Sequence, residues 1–326
     1  MSILLKGLDL GKFSIYPPIV LAPMAGYTDS NFRMLVKYFG AGLVFTEMIS
    51  SDGLYAGDRN NLKLMKYKEA ERPIAAQFFG SNIDRLVYAA KLSQDWGFDI
   101  ICLNMGCPSQ HIMKSGGGAE LLKNPVLVSK ILHSLRNATT IPLSVKVRKG
   151  FYEGENLLPL FSKIFEEEGV DLVIVHGISV EEGFNRERED WQCIKEFKNM
   201  THIPVIGNGG ISNVQDVERM FTETGADGVM VGRAVLSCPW FIKSATDYIE
   251  NGKIFSLSLM EKFNIIVRFI ESIDEGKQMK EIRKLIYPMI FGLRGTKSLR
   301  IKLEKTQSKE EIKGLLKAFF ESEEAQ

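Results

Sequence analysis

Short apolar segments recur between residues 19 and 231. Most are continuous runs of Val, Ile, Leu and Phe rather than alternating apolar and polar residues. Continuous runs of this length are typical of strands that are covered on both faces, as in a parallel sheet. Eight such segments are found: Ile19–Ala22, Leu43–Glu47, Ile74–Phe79, Ile100–Asn104, Leu143–Val147, Leu172–His176, Val205–Gly207 and Gly228–Val231.

Helix-length stretches separate these segments and carry apolar residues every three or four positions. The clearest are Asn31–Phe39, Asn82–Trp96 and Val214–Phe221. Eight alternations of strand and helix favour a (β/α)8 TIM barrel, with an open doubly wound sheet as the alternative. Polar residues that can cap a helix precede four of the predicted helices: Asp29, Ser81, Asn124 and Asn213.

The pattern changes after Trp240. Ser244–Leu259 is predicted to be a connector, and from Glu261 onward only helical periodicity remains. We therefore expect a catalytic barrel domain over residues 1–243 and a small C-terminal helical domain over residues 244–326.

The amino-acid composition indicates a globular protein with one strongly basic segment. The 326 residues are 45% hydrophobic and 25% charged, which is ordinary for a globular protein and excludes a disordered or collagen-like chain. The net charge of +1 does not itself indicate a polyanion-binding protein. Gly276–Lys305, however, holds nine basic and two acidic residues, a local charge of +7. This stretch is either a solvated helical face or a surface for phosphates.

The cysteines and the terminal sequence bear on metals and location. The four cysteines have no C-x-x-C spacing and the histidines do not group with them, which argues against a metal site and a disulfide framework. Lys6 interrupts the N-terminal apolar run, so a signal peptide is not expected. No apolar stretch reaches the roughly 20 residues of a membrane helix. We expect a reduced, cytoplasmic protein without a metal or a membrane span.

Two glycine-rich strand ends predict an anion site. The loops after barrel strands form the site in this fold, and the last two strands lead into Asn208-Gly209-Gly210 and Gly232-Arg233. Such loops expose backbone N–H groups, and an arginine adds a fork of donors. A phosphate-binding cup is the prediction, and two ordinary strand–helix turns are the alternative.

Other polar residues lie where a strand should be apolar. Gln77, Asn104, Lys146 and His176 fall on four different predicted strands, and a lysine in such a position needs an anion or an electron-rich partner. Together they predict a pocket for a flat heterocycle. Cys107 follows the fourth strand in a glycine–proline turn that would lift its thiol to the mouth of the barrel. There it would act as a nucleophile or a proton donor, whereas a lone cysteine is otherwise a small buried apolar residue.

Several motifs follow one another in a defined order: LAPMAGYTDSNFR, DIICLNMGCP, GGGAELL, SVKVRKGF, VIVHG, IPVIGNGGI, GVMVGRA and, in the tail, RKLIYPMIFGL. In order and spacing they resemble the bacterial branch of the tRNA-dihydrouridine synthases. The combination of PMAG-x-TD, NMGCP and VGRA is highly specific to that family.

The resemblance implies a bound FMN that is reduced by NADPH and passes a hydride to C6 of a uracil in tRNA. It also implies eleven cofactor-binding residues: Pro23, Met24 and Ala25 through their backbone, Gln77 and Lys146 at the polar edge of the flavin, His176 beside it, and Asn208, Gly209, Gly210, Gly232 and Arg233 at the phosphate.

For the substrate, the resemblance implies that Cys107 protonates C5 of the uracil and that the base is turned out of its stack. The expected partner is tRNA, bound by a chain that we expect to be a monomer. The expected substrate-binding residues are Asn104 at the uracil, Arg148 at the end of the fifth strand, and Lys280, Arg283, Lys284 and Arg294 at tRNA phosphates.

The loop after the sixth strand departs from the family pattern. Ile178 and Ser179 stand where relatives have Arg-Thr, and Phe184-Asn185-Arg186 replaces part of the loop. Gln110 and His111 stand where two lysines are usual. These changes concern the surfaces that face RNA, and so the identity of the uridine that is modified.

Three other functions compete with this interpretation. An FMN-dependent barrel oxidoreductase for a small molecule, of the dihydroorotate or enoate type, shares the phosphate loops and Lys146. A non-redox barrel, such as a phosphate-sugar isomerase, needs a carboxylate at a strand end, and only Glu47 is offered. A purely RNA-binding protein would use the helical tail and would not need Cys107.

Overall fold

The computed structural model of the chain describes residues 4–324, in which eight parallel strands form a barrel. The strand neighbours follow chain order, and backbone hydrogen bonds from Leu21 to Leu43 and from Gly42 to Ile19 join the first strand to the second. The predicted TIM barrel is confirmed. The barrel strands are β3 (Ile19–Leu21), β4 (Val44–Phe45), β6 (Ile74–Phe79), β7 (Ile100–Met105), β8 (Leu143–Arg148), β9 (Leu172–His176), β10 (Val205–Asn208) and β11 (Gly228–Val231).

Three shorter strands accompany the barrel. An antiparallel pair, β1 (Leu8–Asp9) and β2 (Ser14–Ile15), precedes it, and β5 (Ile49–Ser50) pairs with the end of β6. Leu8 and Ile15 belong to the apolar cluster inside the barrel, together with Cys102 on β7. The interior is therefore a packed core, and the polar strand residues are left for its upper end.

Helices surround the strands and bury their apolar faces against them, forming the larger of the two core clusters. The helices up to the end of the barrel are α1 (Ser30–Tyr38), α2 (Ser51–Tyr55), α3 (Arg59–Leu64), α4 (Ile83–Asp95), α5 (Gln110–Lys114), α6 (Pro125–Ala138), α7 (Leu158–Glu167), α8 (Trp191–Met200), α9 (Val214–Thr224), α10 (Arg233–Ser237) and α11 (Phe241–Asn251). Short 3-10 helices occur at Glu69–Glu71, Gly118–Lys123 and Arg186–Arg188.

Three of the four predicted helix caps are found. The side chains of Asp29, Asn124 and Asn213 accept N–H groups from the first turns of α1, α6 and α9. The prediction of Ser81 is wrong, because the side chain of Asn82 caps α4 and the Ser81 hydroxyl donates to the carbonyl of Ser115 instead.

The expected connector over Ser244–Leu259 is wrong in its first half. Residues up to Asn251 belong to α11, because Phe241, Ile242, Ala245 and Ile249 give that segment a buried apolar face, and the helix packs on α9. The proposed division between residues 243 and 244 falls within this helix and stays a prediction.

The tail is helical and docks beside the loop that follows β3. α12 packs on α1, where the rings of Phe32 and Phe269 meet edge to face with centroids 6.1 Å apart. Lys277 forms an ion pair with Asp29, the cap of α1. The tail elements are α12 (Leu259–Ser272), α13 (Met279–Ile286), a 3-10 turn at Pro288–Ile290, α14 (Thr296–Leu303) and α15 (Lys309–Glu324).

Within residues 4–324, none of the helices is long and apolar enough to cross a membrane.

Candidate active site

A cavity of about 310 Å³ opens at the carboxyl ends of the barrel strands. Residues from β3 and from β7 to β11, or from the loops that follow them, form its wall. Ten of the eleven residues predicted to bind the cofactor lie there, all except Gln77, and so do Cys107, Asn104 and Arg148. Met48, Phe184, Glu189 and Ile211 complete much of the remaining wall and were not among the predicted residues.

Gln77 lies beneath the cavity and is fully buried. Its side-chain carbonyl accepts a 2.9 Å hydrogen bond from the amide of Asn104, and its own amide donates to Cys102 Sγ at 3.4 Å. Gln77 thus connects the apolar interior of the barrel to Asn104, which reaches the cavity wall.

Asn104 shapes the turn that carries the thiol. Its side-chain oxygen accepts the N–H groups of Gly106 and Cys107, at 3.1 and 2.9 Å. Its amide group donates to Gln77 and to Met48 Sδ. Both ends of the side chain are therefore engaged, and Asn104 fixes the Cys107 turn in addition to facing the cavity where a uracil contact was expected.

Cys107 is half-buried at the rim of the cavity. Burial raises the pKa of its thiol, although a backbone N–H at Ser109 and the charges of Lys146 and Arg148 act in the opposite direction. A thiol with a raised pKa is protonated at neutral pH. Cys107 therefore has the protonation state of a proton donor rather than of a thiolate nucleophile.

The loops after β10 and β11 place three glycines, Gly209, Gly210 and Gly232, in the cavity wall. Gly209 and Gly210 have φ values of +109° and +74°, conformations that L side chains rarely adopt. A Cβ atom at Gly209 would overlap Glu189 and lie 2.7 Å from His176 Cδ2. The indole N–H of Trp191 donates to the Gly209 carbonyl at 3.1 Å. The hydrogen bonds found within residues 4–324 leave the N–H groups of Gly209 and Gly210 without an acceptor.

Lys146 and His176 face the cavity from β8 and β9. Burial lowers the pKa of Lys146 to about 8, and the neighbouring Arg148 acts in the same direction. Burial also lowers the pKa of His176 well below its usual range, helped by Lys146, Arg148 and Arg233. At neutral pH the wall therefore presents an ammonium group and an uncharged imidazole.

Arg148 is turned into the protein. Its guanidinium donates to three backbone carbonyls, those of Gly106, Ser179 and Gly183, each at 2.8 Å. The group is almost completely buried and lies 4.9 Å from the ring centroid of Phe184. Arg148 therefore holds the loops after β7 and β9 together through its Nε and Nη1 donors, and its role as a substrate-binding residue stays a prediction.

Glu189 is the charged residue of the cavity that the sequence did not reveal. Its side chain is 5% exposed, and Oε1 lies 3.1 Å from Nε2 of His176. Burial raises the pKa of Glu189 to about 7, although Arg148, Lys146 and Arg233 pull it down. In the sequence it is one of several charged residues in RERED, and no local pattern distinguishes a buried glutamate from its exposed neighbours.

Three of the four predicted tail residues line a second cleft beside the first. Lys280, Arg283 and Lys284 lie there with Tyr27 and Arg233, so Arg233 borders both spaces. The Lys284 ammonium lies 4.3 Å from the Tyr27 ring centroid. Arg283 is mostly buried and donates to the carbonyl of Thr306. Arg294 is exposed on the tail and lies outside this cleft.

The residues that the structure describes contain no cluster of His, Cys, Asp and Glu suited to a metal ion. The site combines a basic cavity, lined in part by glycines, with a protonated thiol at its rim. A TIM barrel with such a site at the strands' carboxyl ends belongs to the class of barrel enzymes that act on or through an anionic ligand.

Comparison with known proteins identifies the family. The model of the family described as Dihydrouridine synthase (Dus) matches residues 20–324. The chain belongs to the dihydrouridine synthase family, which confirms the resemblance seen in the motifs.

Named relatives cover most of the chain. A probable tRNA-dihydrouridine synthase of Rickettsia conorii is 35% identical over 82% of this chain and 81% of its own length. The tRNA-dihydrouridine synthase B of Xanthomonas axonopodis pv. citri is 34% identical over 76% of this chain and 74% of its own. A probable tRNA-dihydrouridine synthase of Aquifex aeolicus is 33% identical over 86% and 89%.

Solved structures at low identity share the fold. Histamine dehydrogenase from Rhizobium sp. 4-9 aligns with a TM-score of 0.59 at 16% identity, over 82% of this chain and 51% of that one. Morphinone reductase in complex with tetrahydroNAD aligns with a TM-score of 0.53 at 11% identity, over 78% and 92%. Both comparisons bear on the barrel architecture alone.

Proposed function

We propose that the chain reduces uridine to 5,6-dihydrouridine in tRNA, with FMN as its bound cofactor and NADPH as the reductant. The observation that carries the proposal is that Cys107 lines the same cavity as the basic residues and the glycines of the last two strand ends, in a barrel of this family. Since one chain offers both the pocket and a basic cleft beside it, we propose that it acts as a monomer. We propose the cytoplasm as its location because the proposed substrate is tRNA.

The pocket fits a flavin mononucleotide. Among the described residues no acceptor binds the N–H groups of Gly209 and Gly210, and these groups, the Gly232 backbone and the Arg233 guanidinium suit a phosphate. A side chain at Gly209 would collide with Glu189 and His176. Lys146 supplies a positive charge for the polar N1–C2=O2 edge of the ring, and the backbone of Pro23, Met24 and Ala25 supplies a flat contact.

A flavin held in this pocket and reduced by NADPH would supply a hydride for C6 of the uracil. Negative charge then develops on O4 and C5, and Cys107 donates the proton that completes the addition at C5. Its raised pKa keeps the thiol protonated until that charge forms, since the C5 carbanion is far more basic than a thiolate. Asn104 holds the turn that aims the thiol.

The basic cleft is assigned to tRNA. Lys280 and Lys284 are exposed there and would bind phosphates, and Arg233 lines both this cleft and the cavity. The target base must leave its stack to enter a cavity of this size.

The test is an assay of the purified chain with NADPH and unmodified tRNA, in which dihydrouridine is measured by mass spectrometry. We expect dihydrouridine with the wild-type chain and a loss of at least about 100-fold for Cys107→Ala with flavin content unchanged. Flavin turnover with a small enoate or dihydroorotate but none with tRNA would favour the small-molecule oxidoreductase. A purified chain without a flavin spectrum would contradict the proposal.

A further inference from the structure

Glu189 has an unused acceptor inside the cavity. Oε1 is bonded to His176, but Oε2 is buried without a hydrogen-bond partner among the described residues. An unpaired buried carboxylate oxygen is costly unless a ligand supplies a donor. The atom therefore indicates a group that is present when the cavity is filled.

The backbone holds Glu189 in this position. The N–H of the next residue, Asp190, donates to the Gly177 carbonyl at 2.6 Å, and the Asp190 side chain caps α8. The indole of Trp191 binds the Gly209 carbonyl. The glutamate is thus fixed between the end of β9 and the loop after β10.

Glu189 lies between the residues assigned to the two ends of the proposed cofactor. The ring edge is assigned to Lys146 on β8, and the phosphate to Gly209, Gly210, Gly232 and Arg233 after β10 and β11. Oε2 of Glu189 packs next to Gly209, while Oε1 is hydrogen-bonded to His176 of β9. In the strand order β8, β9, β10, β11, Glu189 falls between the ring site and the phosphate site.

A carboxylate oxygen such as Oε2 favours a neutral hydrogen-bond donor as its partner. A phosphate would repel a carboxylate, whereas an alcohol O–H is neutral and donates to it. The part of FMN between ring and phosphate is the ribityl chain, which carries hydroxyl groups. We propose that Glu189 Oε2 accepts a hydrogen bond from a ribityl hydroxyl and so determines the affinity for flavins that carry this chain. The inference rests on the proposed function, because it requires a flavin in the cavity.

The experiment compares three flavins on apoprotein prepared from the full chain. Fluorescence titration gives the Kd of FMN, of riboflavin, which lacks the phosphate, and of lumiflavin, which lacks the ribityl chain. Glu189→Ala should weaken riboflavin about tenfold or more, weaken FMN as well, and leave lumiflavin unchanged. Glu187→Ala is the matched control, since Glu187 is an exposed residue of the same loop, and it should change none of the three.

A second measurement separates binding from folding. In Glu189→Ala the relief of the unpaired Oε2 is offset by the loss of the hydrogen bond between Oε1 and His176, so the Tm of the apoprotein should change little, whereas the loss of a purely structural residue would lower it markedly. Glu189→Gln keeps the shape and one acceptor oxygen, so it should weaken riboflavin less than Glu189→Ala does.

Several results would overturn the inference. An unchanged riboflavin Kd in Glu189→Ala, an equal loss for lumiflavin, or a loss confined to FMN would each assign Glu189 another role. If the wild-type chain binds none of the three flavins, the proposed function fails together with the inference. If it binds FMN and Glu189→Ala binds riboflavin equally well, only the inference fails.

Discussion

Cys107 owes its position to its neighbours on the chain. Asn104 accepts its N–H, and Gly118 lies against it so closely that a Cβ there would be 2.8 Å from the Cys107 carbonyl oxygen. The thiol lines the cavity, and none of the side chains within residues 4–324 is found to form a hydrogen bond with it. Its acidity is governed mainly by burial.

This environment predicts how the thiol reacts. Only the thiolate is alkylated, and a raised pKa keeps its population low at neutral pH. Alkylation of Cys107 by iodoacetamide should therefore be slow at pH 7 and rise about tenfold per pH unit until the pH passes the thiol pKa. Peptide mass spectrometry follows the site, with Cys107→Ser as the control. A full rate at pH 7 would show that Cys107 is a thiolate nucleophile instead.

Sequence reasoning reaches those residues whose place follows from a strand end. Lys146, His176 and Gly209 could be predicted, because the carboxyl ends of parallel barrel strands share one rim. Glu189 could not, since its burial depends on how a long loop folds back over that rim. The direction of Arg148 was also out of reach, because the carbonyls that it binds come from two other loops.

At the scale of elements, the loops after β7 and β9 are tied together by one guanidinium. Arg148 binds a carbonyl of each, and Lys149, the next residue, pairs with Glu182 in the second loop at 3.3 Å. Burial lowers the pKa of Arg148 to about 10, so it is still charged at neutral pH. Two loops at the rim of the cavity are therefore held in place by a residue of β8.

Removing this link should loosen the rim. Arg148→Ala leaves three carbonyls without their donor and is expected to destabilise the protein by about 2–4 kcal/mol, seen as a lower midpoint in urea unfolding. Arg188→Ala is the matched control on the same loop, because its ion pair with Glu153 is exposed and should contribute no more than about 1 kcal/mol. Equal stability of Arg148→Ala and wild type would contradict this role.

The hydrophobic pattern predicts the barrel strands but not the full extent of α11. The barrel strands were predictable because they are buried on both faces and so are continuously apolar. The helix α11 was missed, because Lys243, Ser244 and Thr246 stand between its apolar residues in the sequence and make the segment resemble a polar linker. Its partner α9 lies outside any local window of sequence, so packing decided the outcome.

At the scale of the whole molecule, the tail brings positive charge to the barrel mouth. Its docking contacts, Phe269 on Phe32 and Lys277 on Asp29, place α13 beside the loop after β3. The cleft that results borders Arg233, which also lines the cavity. The proposed cofactor pocket and the basic cleft thus share Arg233 in their walls.

That surface predicts a salt-dependent interaction. Lys280→Ala combined with Lys284→Ala should weaken tRNA binding and reduce the slope of log K against log salt by about 1 for each phosphate that the protein no longer neutralises. Flavin affinity should be unaffected. Binding is measured by filter retention at several salt concentrations, with Lys317→Ala as the control, since Lys317 is exposed on α15. An unchanged slope would place the tRNA elsewhere on the protein.

If a flavin held in this cavity reduces uridine while Cys107 supplies the proton, one reduced flavin should yield one dihydrouridine. The decisive measurement is a single turnover without oxygen, in which the purified chain is reduced with one equivalent of dithionite and mixed with unmodified tRNA. The visible absorption of oxidised flavin should return as dihydrouridine forms, one molecule for each flavin, and Cys107→Ala should be at least about 100-fold slower. Flavin that stays reduced, or that is reoxidised without forming dihydrouridine, would contradict the account.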